Sequence, residues 1–188
     1  MEYPNWFNAR RAHFERHLQK FGGEKDLKFL QIGAYTGDAS MWMLDNILLT
    51  RGSELYDLDT WQGSDEVDHK PFDWQDVENT YDQKMSEFNN VNKIKNDSHQ
   101  GLSEMSEKYK EYFDFIYIDG SHKEEDVYKD AILSFPLLKK GGTMAFDDYD
   151  MSGKNFGVKE AVDSFLFEKS EELHILEASE QFWLVKRQ

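Results

Sequence analysis

The stretch FDFIYIDGSH, residues 113–122, is a short apolar run that stops at Asp119, and GGTMAFDDY, residues 141–149, repeats the pattern and stops at Asp147 and Asp148. Each run is typical of a buried strand. Open α/β sheets bind ligands just outside the carboxyl ends of their strands. Carboxylates gathered there repel one another unless a cation, a proton or a hydrogen-bond donor neutralises them. The two stretches therefore predict an α/β sheet with a metal-assisted site at its rim.

Predicted strands and helices alternate along the rest of the chain. The patterns predict strands over 27–32, 54–58, 92–95, 113–118, 143–146, 173–176 and 182–186, and helices over 4–21, 40–44, 77–88, 102–109, 124–138 and 158–169. This alternation favours a mostly parallel sheet with helices on both faces. The short link between the last two strands predicts a hairpin, which adds one antiparallel strand. We expect a single domain over 1–188, with an N-terminal helix within 1–23 and an α/β core over 27–188.

Composition limits the classes of partner. The formal net charge is −15, the pI is about 4.7 and the 188 residues include no cysteine. An acidic surface opposes binding to nucleic acid or to an anionic membrane, so a small molecule is the expected partner. Without cysteine, this sequence forms no disulfide, thiolate nucleophile or cysteine-ligated metal site. The first residues do not look like a signal peptide and no apolar run approaches the ~20 residues of a spanning helix, so we expect a cytoplasmic location.

A turn with two glycines, QIGAYTG at 31–37, follows the first strand. The spacing of Gly33 and Gly37 is GxxxG and lacks the middle glycine of the dinucleotide fingerprint GxGxxG. Two glycines still permit a tight turn that lets a ligand approach the main chain. The alternative is that Gly33 and Gly37 only form a strand-to-helix turn.

Acidic residues follow the second and third strands. Asp59 lies 26 positions after Gly33, and an acid at this strand end can accept hydrogen bonds from both hydroxyls of a ribose. Asp57 is the competitor, but its place inside the strand favours a solvated or salt-bridged role. Asp97 and Ser98 follow the third strand and either cap the next helix or face the edge of an adenine.

Taken together, these motifs resemble class I S-adenosylmethionine (SAM)-dependent methyltransferases. The residues that carry the resemblance are the GxxxG turn, Asp59-Thr60-Trp61, Asp97-Ser98, FIYIDGSH and GGTMAFDDY, within about 27–150. They are most similar to the small-molecule O-methyltransferase group of macrocin- and novobiocin-type sugar methyltransferases, methyltransferase family 24. The resemblance implies a Rossmann-like, doubly wound, seven-stranded sheet that is mostly parallel, with the last strand antiparallel and helices on both faces.

The resemblance also implies where SAM lies. Gly33 and its neighbours would flank the methionine part, Asp59 would hold the ribose, and Asp97 with Ser98 would face the adenine. The full cofactor-binding set is Gln31, Gly33, Ala34, Tyr35, Gly37, Asp59, Thr60, Trp61, Asp97, Ser98 and Asp119. Gln31 stands where the family commonly has Glu, and its amide still accepts and donates hydrogen bonds.

By the same resemblance, Asp119, Asp147 and Asp148 hold a divalent cation, usually Mg²⁺, with Mn²⁺ as the other hard ion that suits oxygen ligands. No basic residue lies within three positions of Asp147 or Asp148, so an ion is the simplest neutraliser. A bound ion lowers the pKa of a coordinated hydroxyl. Asp119 is the first candidate for the catalytic base and His122 the second, although His122 could simply lie near the start of the next helix.

We therefore predict a metal-assisted, SAM-dependent O-methyltransferase for a small hydroxylated molecule, with a sugar as one candidate. One alternative is a metal-independent methyltransferase in which Asp147 and Asp148 bind only substrate or a helix end. Another is a non-catalytic protein that binds SAM or its product, S-adenosylhomocysteine (SAH). Asp126 and Asp130, on the helix after His122, are expected on a solvated face.

Two groups of aromatic residues leave alternatives open. They are Trp6, Phe7, Phe14 and Phe21 near the N-terminus, and Trp61, Phe72 and Trp74 in the long loop 59–76. The first group either forms a homodimer interface or packs on the protein's own sheet, so we expect a monomer or a homodimer. The second group either lines a substrate pocket or anchors the loop, and loops of this length are often functional.

Overall fold

Within the residues that the computed structural model describes, 3–64, 69–151 and 156–188, seven strands form one sheet. The strands are β1 (Lys28–Ile32), β2 (Glu54–Asp59), β3 (Val91–Lys95), β4 (Phe113–Ile118), β5 (Leu138–Phe146), β6 (Leu173–Ala178) and β7 (Phe182–Lys186). Their order is β3-β2-β1-β4-β5-β7-β6. The first five strands pair in parallel, and β7 is antiparallel to both β5 and β6. The predicted mostly parallel sheet with an antiparallel last strand is confirmed.

Six α-helices of the described part connect and cover the strands. They are α1 (Arg11–Leu18), α2 (Asp38–Asn46), α3 (Trp74–Met85), α4 (Ser98–Ser106), α5 (Glu124–Ser134) and α6 (Val158–Lys169). Helices α1 to α3 contribute to one buried cluster and α4 to α6 to another, so helices on both faces are confirmed. None of the described helices is long and apolar enough to cross a membrane.

The sequence of strand β4 shows why helices cover both faces of the sheet. Phe115 and Tyr117 join the cluster under α1 to α3, and Ile116 and Ile118 join the cluster under α4 to α6. Successive side chains of a strand leave opposite faces, so a strand covered on both faces must be apolar throughout. Each of the four is at most 3% exposed. Burying a side chain of this size contributes roughly 1.5–3 kcal/mol.

The N-terminal aromatic residues pack mainly on the protein's own sheet. The Phe14 ring is fully buried, with its centroid 4.9 Å from that of Tyr117 and 5.4 Å from that of Trp183. This contact favours packing within the chain over the dimer alternative, and the oligomeric state stays a prediction. The predicted helix over 4–21 is wrong in its extent, because α1 is shorter and 3₁₀ turns flank it at Trp6–Ala9 and Gln19–Phe21.

The bounds of α2 to α5 also differ from the predicted ones, and α2 extends the predicted 40–44 by two residues at each end. Helix α3 starts at Trp74 because the Asp73 side chain accepts hydrogen bonds from the first turn. Helix α4 starts at Ser98 because Asp97 caps it in the same way. Helix α5 ends before Pro136, which lacks the N–H that would continue the helix and lies in a 3₁₀ turn.

Candidate active site

A cavity of about 810 Å³ lies at the carboxyl ends of the parallel strands. Small-molecule sites span roughly 300–1,000 Å³, so this one is large for its class. The predicted residues that line it are Gln31, Gly33, Ala34, Tyr35, Asp59, Thr60, Asp97, Ser98, Asp119, His122, Asp147 and Asp148. A second depression, of about 860 Å³, lies beside α5 and α6 and contains none of the predicted site residues.

Two predicted cofactor residues, Gly37 and Trp61, lie outside the cavity lining. Gly37 has a positive φ of 81° and precedes α2. Trp61 is 2% exposed, and its indole Nε1 donates to the Tyr35 carbonyl at 2.9 Å. The bond to Tyr35, which does line the cavity, shows that Trp61 anchors the loop rather than lining the pocket.

Gly33 lets the ends of β1 and β4 come together. Its φ is +87°, and a Cβ at this position would lie 1.9 Å from the Asp119 carbonyl oxygen. The Gln31 amide supports the same turn, since its Nε2 donates to the Gly33 carbonyl at 2.8 Å and its Oε1 accepts from the Ser40 hydroxyl at 3.1 Å. The turn thus has a structural role in addition to lining the cavity.

Asp59 ties this turn to the end of β2. Its Oδ2 accepts from the backbone N–H groups of Ala34 at 2.7 Å and Tyr35 at 2.9 Å, and its Oδ1 accepts from that of Trp61 at 2.7 Å. A carboxylate offers about four lone-pair sites, so these three bonds leave one acceptor site, and Asp59 lines the cavity.

Asp57 is not solvated, so that expectation is wrong. Its side chain is fully buried under α3, where the Tyr81 hydroxyl donates to Oδ2 at 2.8 Å. Burial raises the pKa of Asp57 to about 7, and the hydrogen bond from Tyr81 moderates the rise. Asp57 therefore belongs to the interior and not to the cavity.

At the end of β3, Asp97 both caps a helix and lines the cavity. Its Oδ1 accepts from the Gln100 N–H at 3.1 Å.

The expectation of a solvated face for Asp126 and Asp130 is wrong. Asp126 lines the cavity and accepts from the Ser121 hydroxyl at 2.7 Å, and Asp130 is 1% exposed. Burial raises the pKa of Asp130 to about 7.

The three predicted metal acids do meet at one rim. The Asp119 N–H donates to the Ile32 carbonyl at the end of β1, and the Asp147 N–H donates to the Ile118 carbonyl at the end of β4. These bonds extend the parallel ladder by one residue and bring Asp119 next to Asp147 and Asp148. The convergence predicted from strand ends is therefore present.

Arg10 neutralises part of this cluster, which corrects the expectation that an ion is the simplest neutraliser. Its Nε donates to Asp147 Oδ1 at 2.9 Å, its Nη2 to Asp148 Oδ1 at 2.7 Å and its Nη1 to Glu180 Oε2 at 3.0 Å. Gln181 also donates to Asp147 Oδ1, at 2.9 Å.

The acids differ in their protonation. Burial raises the pKa of Asp119 well above its ordinary value, and the neighbouring Asp147 and Asp148 add to the rise. Burial and Asp148 likewise raise the pKa of Asp147. Burial also acts to raise the pKa of Asp148, but His122 and Arg10 outweigh it and hold that pKa below its usual range. Asp148 is thus the carboxylate that keeps its charge most readily.

The groups closest to a metal-ligand arrangement are Asp119, His122 and Asp148. One ligand atom from each lies within 4.8 Å of the others. Carboxylate oxygens suit Mg²⁺ and Mn²⁺, and imidazole suits the transition metals. Asp119 and Asp148 fit a divalent cation, with His122 beside them. Asp147 Oδ1 accepts from both Arg10 and Gln181, whereas Asp148 gives only its Oδ1 to Arg10.

His122 is held in place from three sides. Its Nε2 lies 3.0 Å from Asp148 Oδ2, its ring stacks at 5.2 Å on Phe156, and its carbonyl accepts from the Gly157 N–H at 2.8 Å. His122 lies just before α5, as predicted by the alternative in which it is simply near the start of the helix. Its Nε2 also faces the acid cluster.

Aromatic rings gather at the mouth of the cavity. Trp6 stacks on Tyr35 with centroids 4.6 Å apart, and Phe72 packs edge-on against Tyr3 at 5.4 Å and Trp74 at 5.9 Å. Trp6 and Trp74 line the cavity. The two alternatives for the loop aromatics thus both apply, because Trp74 lines the pocket whereas Phe72 packs against other rings.

A family comparison agrees with this geometry. The family model of methyltransferase family 24, described as a methyltransferase domain, matches residues 30–149. The chain belongs to this family. It is a SAM-dependent methyltransferase of class I. No curated protein sequence matches it significantly.

Solved structures share the fold of this methyltransferase. One is MycE from the mycinamycin biosynthetic pathway, in complex with Mg, SAH and mycinamycin VI: it is 16% identical with a TM-score of 0.65, and the match covers 100% of this chain and 51% of MycE. A putative rRNA methylase from Clostridium thermocellum is 12% identical with a TM-score of 0.68, covering 100% and 99%. A putative O-methyltransferase from Klebsiella pneumoniae is 14% identical with a TM-score of 0.62, covering 86% and 73%.

Sequence reasoning missed two residues that contact the acid cluster, Arg10 and Gln181. Arg10 is separated from Asp147 by 137 positions and belongs to no motif that would mark it. Gln181 lies in the hairpin link, where its only sequence signal is its place beside the last strand. Neither contact can be read from local spacing.

Proposed function

We propose that this methyltransferase transfers the methyl group of SAM to a hydroxyl of a small molecule, with divalent-metal assistance, and that it acts as a single domain. One observation supports this most: the group of Asp119, His122 and Asp148 lies in the same cavity as the turn around Gly33. A cofactor and a hydroxyl acceptor bound together in that cavity would meet at the acid cluster.

The cofactor would lie along the ends of β1 to β4. The turn at Gly33 would flank its methionine part, Asp59 would accept hydrogen bonds from the ribose hydroxyls, and Asp97 with Ser98 would face the adenine. All four residues line the cavity. Methyl transfer is an in-line displacement, so much of the acceleration comes from positioning of donor and acceptor.

His122 is the better candidate for the base, with Asp119 second. Asp148 lies 3.0 Å from His122 Nε2, so its carboxylate would orient the ring. It would also stabilise the imidazolium formed when the other ring nitrogen, Nδ1, takes the hydroxyl proton. The pKa of Asp119 is raised, so its carboxyl would lose its proton, and act as a ligand or base, only when a cation or a hydrogen-bond donor lies nearby.

Asp119 and Asp148 would hold Mg²⁺ or Mn²⁺, with Asp147 as the third acid of the cluster. When bound there, a divalent ion supplies positive charge that lowers the pKa of the acceptor hydroxyl. Asp119 and Asp148 would hold the ion, and therefore its positive charge, beside His122.

The acceptor is proposed to be small and hydroxylated, and sugars and glycosides are the first class to test. Trp6 and Trp74 at the cavity mouth offer rings on which a sugar could stack. The net charge of −15 works against nucleic acid as the acceptor. A cytoplasmic enzyme, monomeric or homodimeric, completes the proposal.

A metal-independent methyltransferase is the second candidate, and the contacts of Arg10 favour it. Its guanidinium already supplies positive charge to Asp147 and Asp148. In that case the acids orient the acceptor, and His122 alone takes the proton.

The test combines binding and transfer. Calorimetry with SAH should show binding by the wild type and by His122→Ala. A screen with labelled SAM against pools of sugars, glycosides and phenols should identify an acceptor, and His122→Ala should then lower turnover by about 10²-fold or more. His174→Ala, an exposed histidine on β6, is the matched control and should keep full activity. Full activity after exhaustive chelation would favour the metal-independent candidate, and no SAH binding would contradict both.

A further inference from the structure

Residues 3–10 form a segment, here called the strap, that borders the cavity mouth and is fastened at both ends. At one end, the Tyr3 hydroxyl donates to Asp76 Oδ2 at 2.8 Å, at the start of α3. At the other end, Arg10 contacts the acids that follow β5. Between them, Trp6 stacks on Tyr35 beside the cofactor turn. The strap therefore spans the cavity from the β2 side of the sheet to the β5 side.

The Arg10 end is the more strongly held. Three different guanidinium nitrogens donate to three carboxylates, those of Asp147, Asp148 and Glu180. The side chains of Arg10, Asp147 and Asp148 are 16%, 11% and 13% exposed. Charge-assisted hydrogen bonds of this kind are strong, and solvent screens the two to Asp147 and Asp148 little. Glu180 is 54% exposed, so its contact with Arg10 is the weakest of the three.

Asp148 belongs both to this fastening and to the candidate ligand group. Its Oδ1 accepts from Arg10, and its Oδ2 faces His122. A divalent ion at Asp119 and Asp148 would place two positive charges beside the guanidinium. Like charges at such short range repel strongly in a sheltered site, so the ion and Arg10 compete for one carboxylate.

We propose that Arg10 is a latch that a divalent cation displaces. Without the ion, Arg10 holds the strap across the cavity mouth. With the ion bound, Asp148 Oδ1 turns from Arg10 to the ion while Oδ2 stays on His122. The Arg10 end of the strap then keeps only its contacts with Asp147 and Glu180, so it loosens and the acceptor gains entry. The ion thereby admits the acceptor as well as activating it. This inference rests on the metal-assisted form of the proposed function.

The first test measures Mn²⁺ affinity by calorimetry on the full chain. Arg10→Met should bind Mn²⁺ roughly tenfold or more tightly than the wild type, because the competing charge is gone. Arg10→Lys keeps the charge but cannot span two carboxylates, so its affinity should lie in between. Arg11→Met is the control, since Arg11 pairs with Glu15 on the exposed surface, and it should bind Mn²⁺ as the wild type does.

The second test follows the strap directly in the wild type, so it does not depend on a variant that folds. Hydrogen–deuterium exchange should be faster in peptides covering 3–10 when Mn²⁺ is present, while the peptide covering β4 is unchanged. In Arg10→Met the strap should exchange rapidly with or without Mn²⁺. Circular dichroism checks that this variant keeps the fold.

The outcomes separate the latch from the proposed function. Equal or weaker Mn²⁺ binding by Arg10→Met, or strap exchange that ignores Mn²⁺ in the wild type, overturns the latch and leaves a metal-assisted methyltransferase standing. Absence of Mn²⁺ binding in both proteins overturns the metal site and the latch together. The SAH titration then decides independently whether the chain binds the methyltransferase cofactor.

Discussion

Replacing Gly33 by alanine should destabilise the protein far more than the same change at Gly23. Both glycines have a left-handed backbone, with φ of +87° and +82°. A Cβ at Gly33 would lie 1.9 Å from the carbonyl oxygen of Asp119, whereas a Cβ at Gly23 meets no atom of the described residues within 4 Å. The pair thus separates the cost of the backbone conformation from the cost of the overlap.

The magnitudes follow from these two terms. A left-handed alanine costs roughly 1–2 kcal/mol, which both variants share. The overlap at Gly33 is with backbone, so it must push the ends of β1 and β4 apart, which costs a further 1–3 kcal/mol or so. We therefore expect a loss of about 2–5 kcal/mol in the free energy of unfolding for Gly33→Ala and about 1–2 kcal/mol for Gly23→Ala.

Urea unfolding measures both losses, and calorimetry with SAH measures the effect on the site. Gly33→Ala should also lose SAH affinity because the cofactor turn moves, while Gly23→Ala should bind SAH normally. Losses that agree within about 0.5 kcal/mol would refute the argument that Gly33 is required for the approach of the two strand ends.

Three further predictions concern single carboxylates. Asp59→Ala removes the acceptor of three backbone N–H groups, so the free energy of unfolding should fall by about 1–3 kcal/mol. The affinity for SAH, measured by calorimetry, should also drop. A variant that binds SAH as tightly as the wild type would exclude a contact between Asp59 and the ribose. Asp148→Asn should weaken Mn²⁺ binding and turnover but leave SAH affinity nearly unchanged, and unaltered Mn²⁺ binding would remove Asp148 from the ligand set. The pKa of Asp57 is raised from 3.8 to about 7 in the folded protein. Between these pH values the folded protein keeps a proton on Asp57 that the unfolded chain has released. The free energy of unfolding should therefore fall as pH rises from about 4 to 7, by up to about 1.4 kcal/mol per pH unit. Asp57→Asn should flatten that fall in urea unfolding at several pH values, and an unchanged slope would show that Asp57 is not its source.

Local patterns predicted the elements whose ends are marked in the sequence. The bounds of β4, α6 and β7 agree with the predicted 113–118, 158–169 and 182–186. Each is a periodic or continuous apolar segment, so its own residues carry the signal. The strand-end rule likewise predicted that Asp119 and Asp148 would meet.

Tertiary contacts decided what local patterns could not. The strand after the helix over 124–138 was predicted to start at residue 143, but β5 already starts at Leu138, because Leu138 pairs with Phe113 of β4. Asp57 was expected in solvent because its cover, Tyr81, lies 24 positions away on α3. Arg10 was missed for the same reason, since it lies 137 positions from Asp147 in the sequence.

The insertion of β7 between β5 and β6 has a consequence for how the protein folds. Strand β6 precedes β7 in the chain but joins the described sheet through it, so β6 has no place in the sheet until β7 has paired with β5. Gln181, just before β7, donates to Asp147 at 2.9 Å, so docking of the hairpin also completes the acid rim. A chain in which this hairpin had not docked would keep its five parallel strands but lack the Gln181 contact with Asp147, so its ligand site would be incomplete.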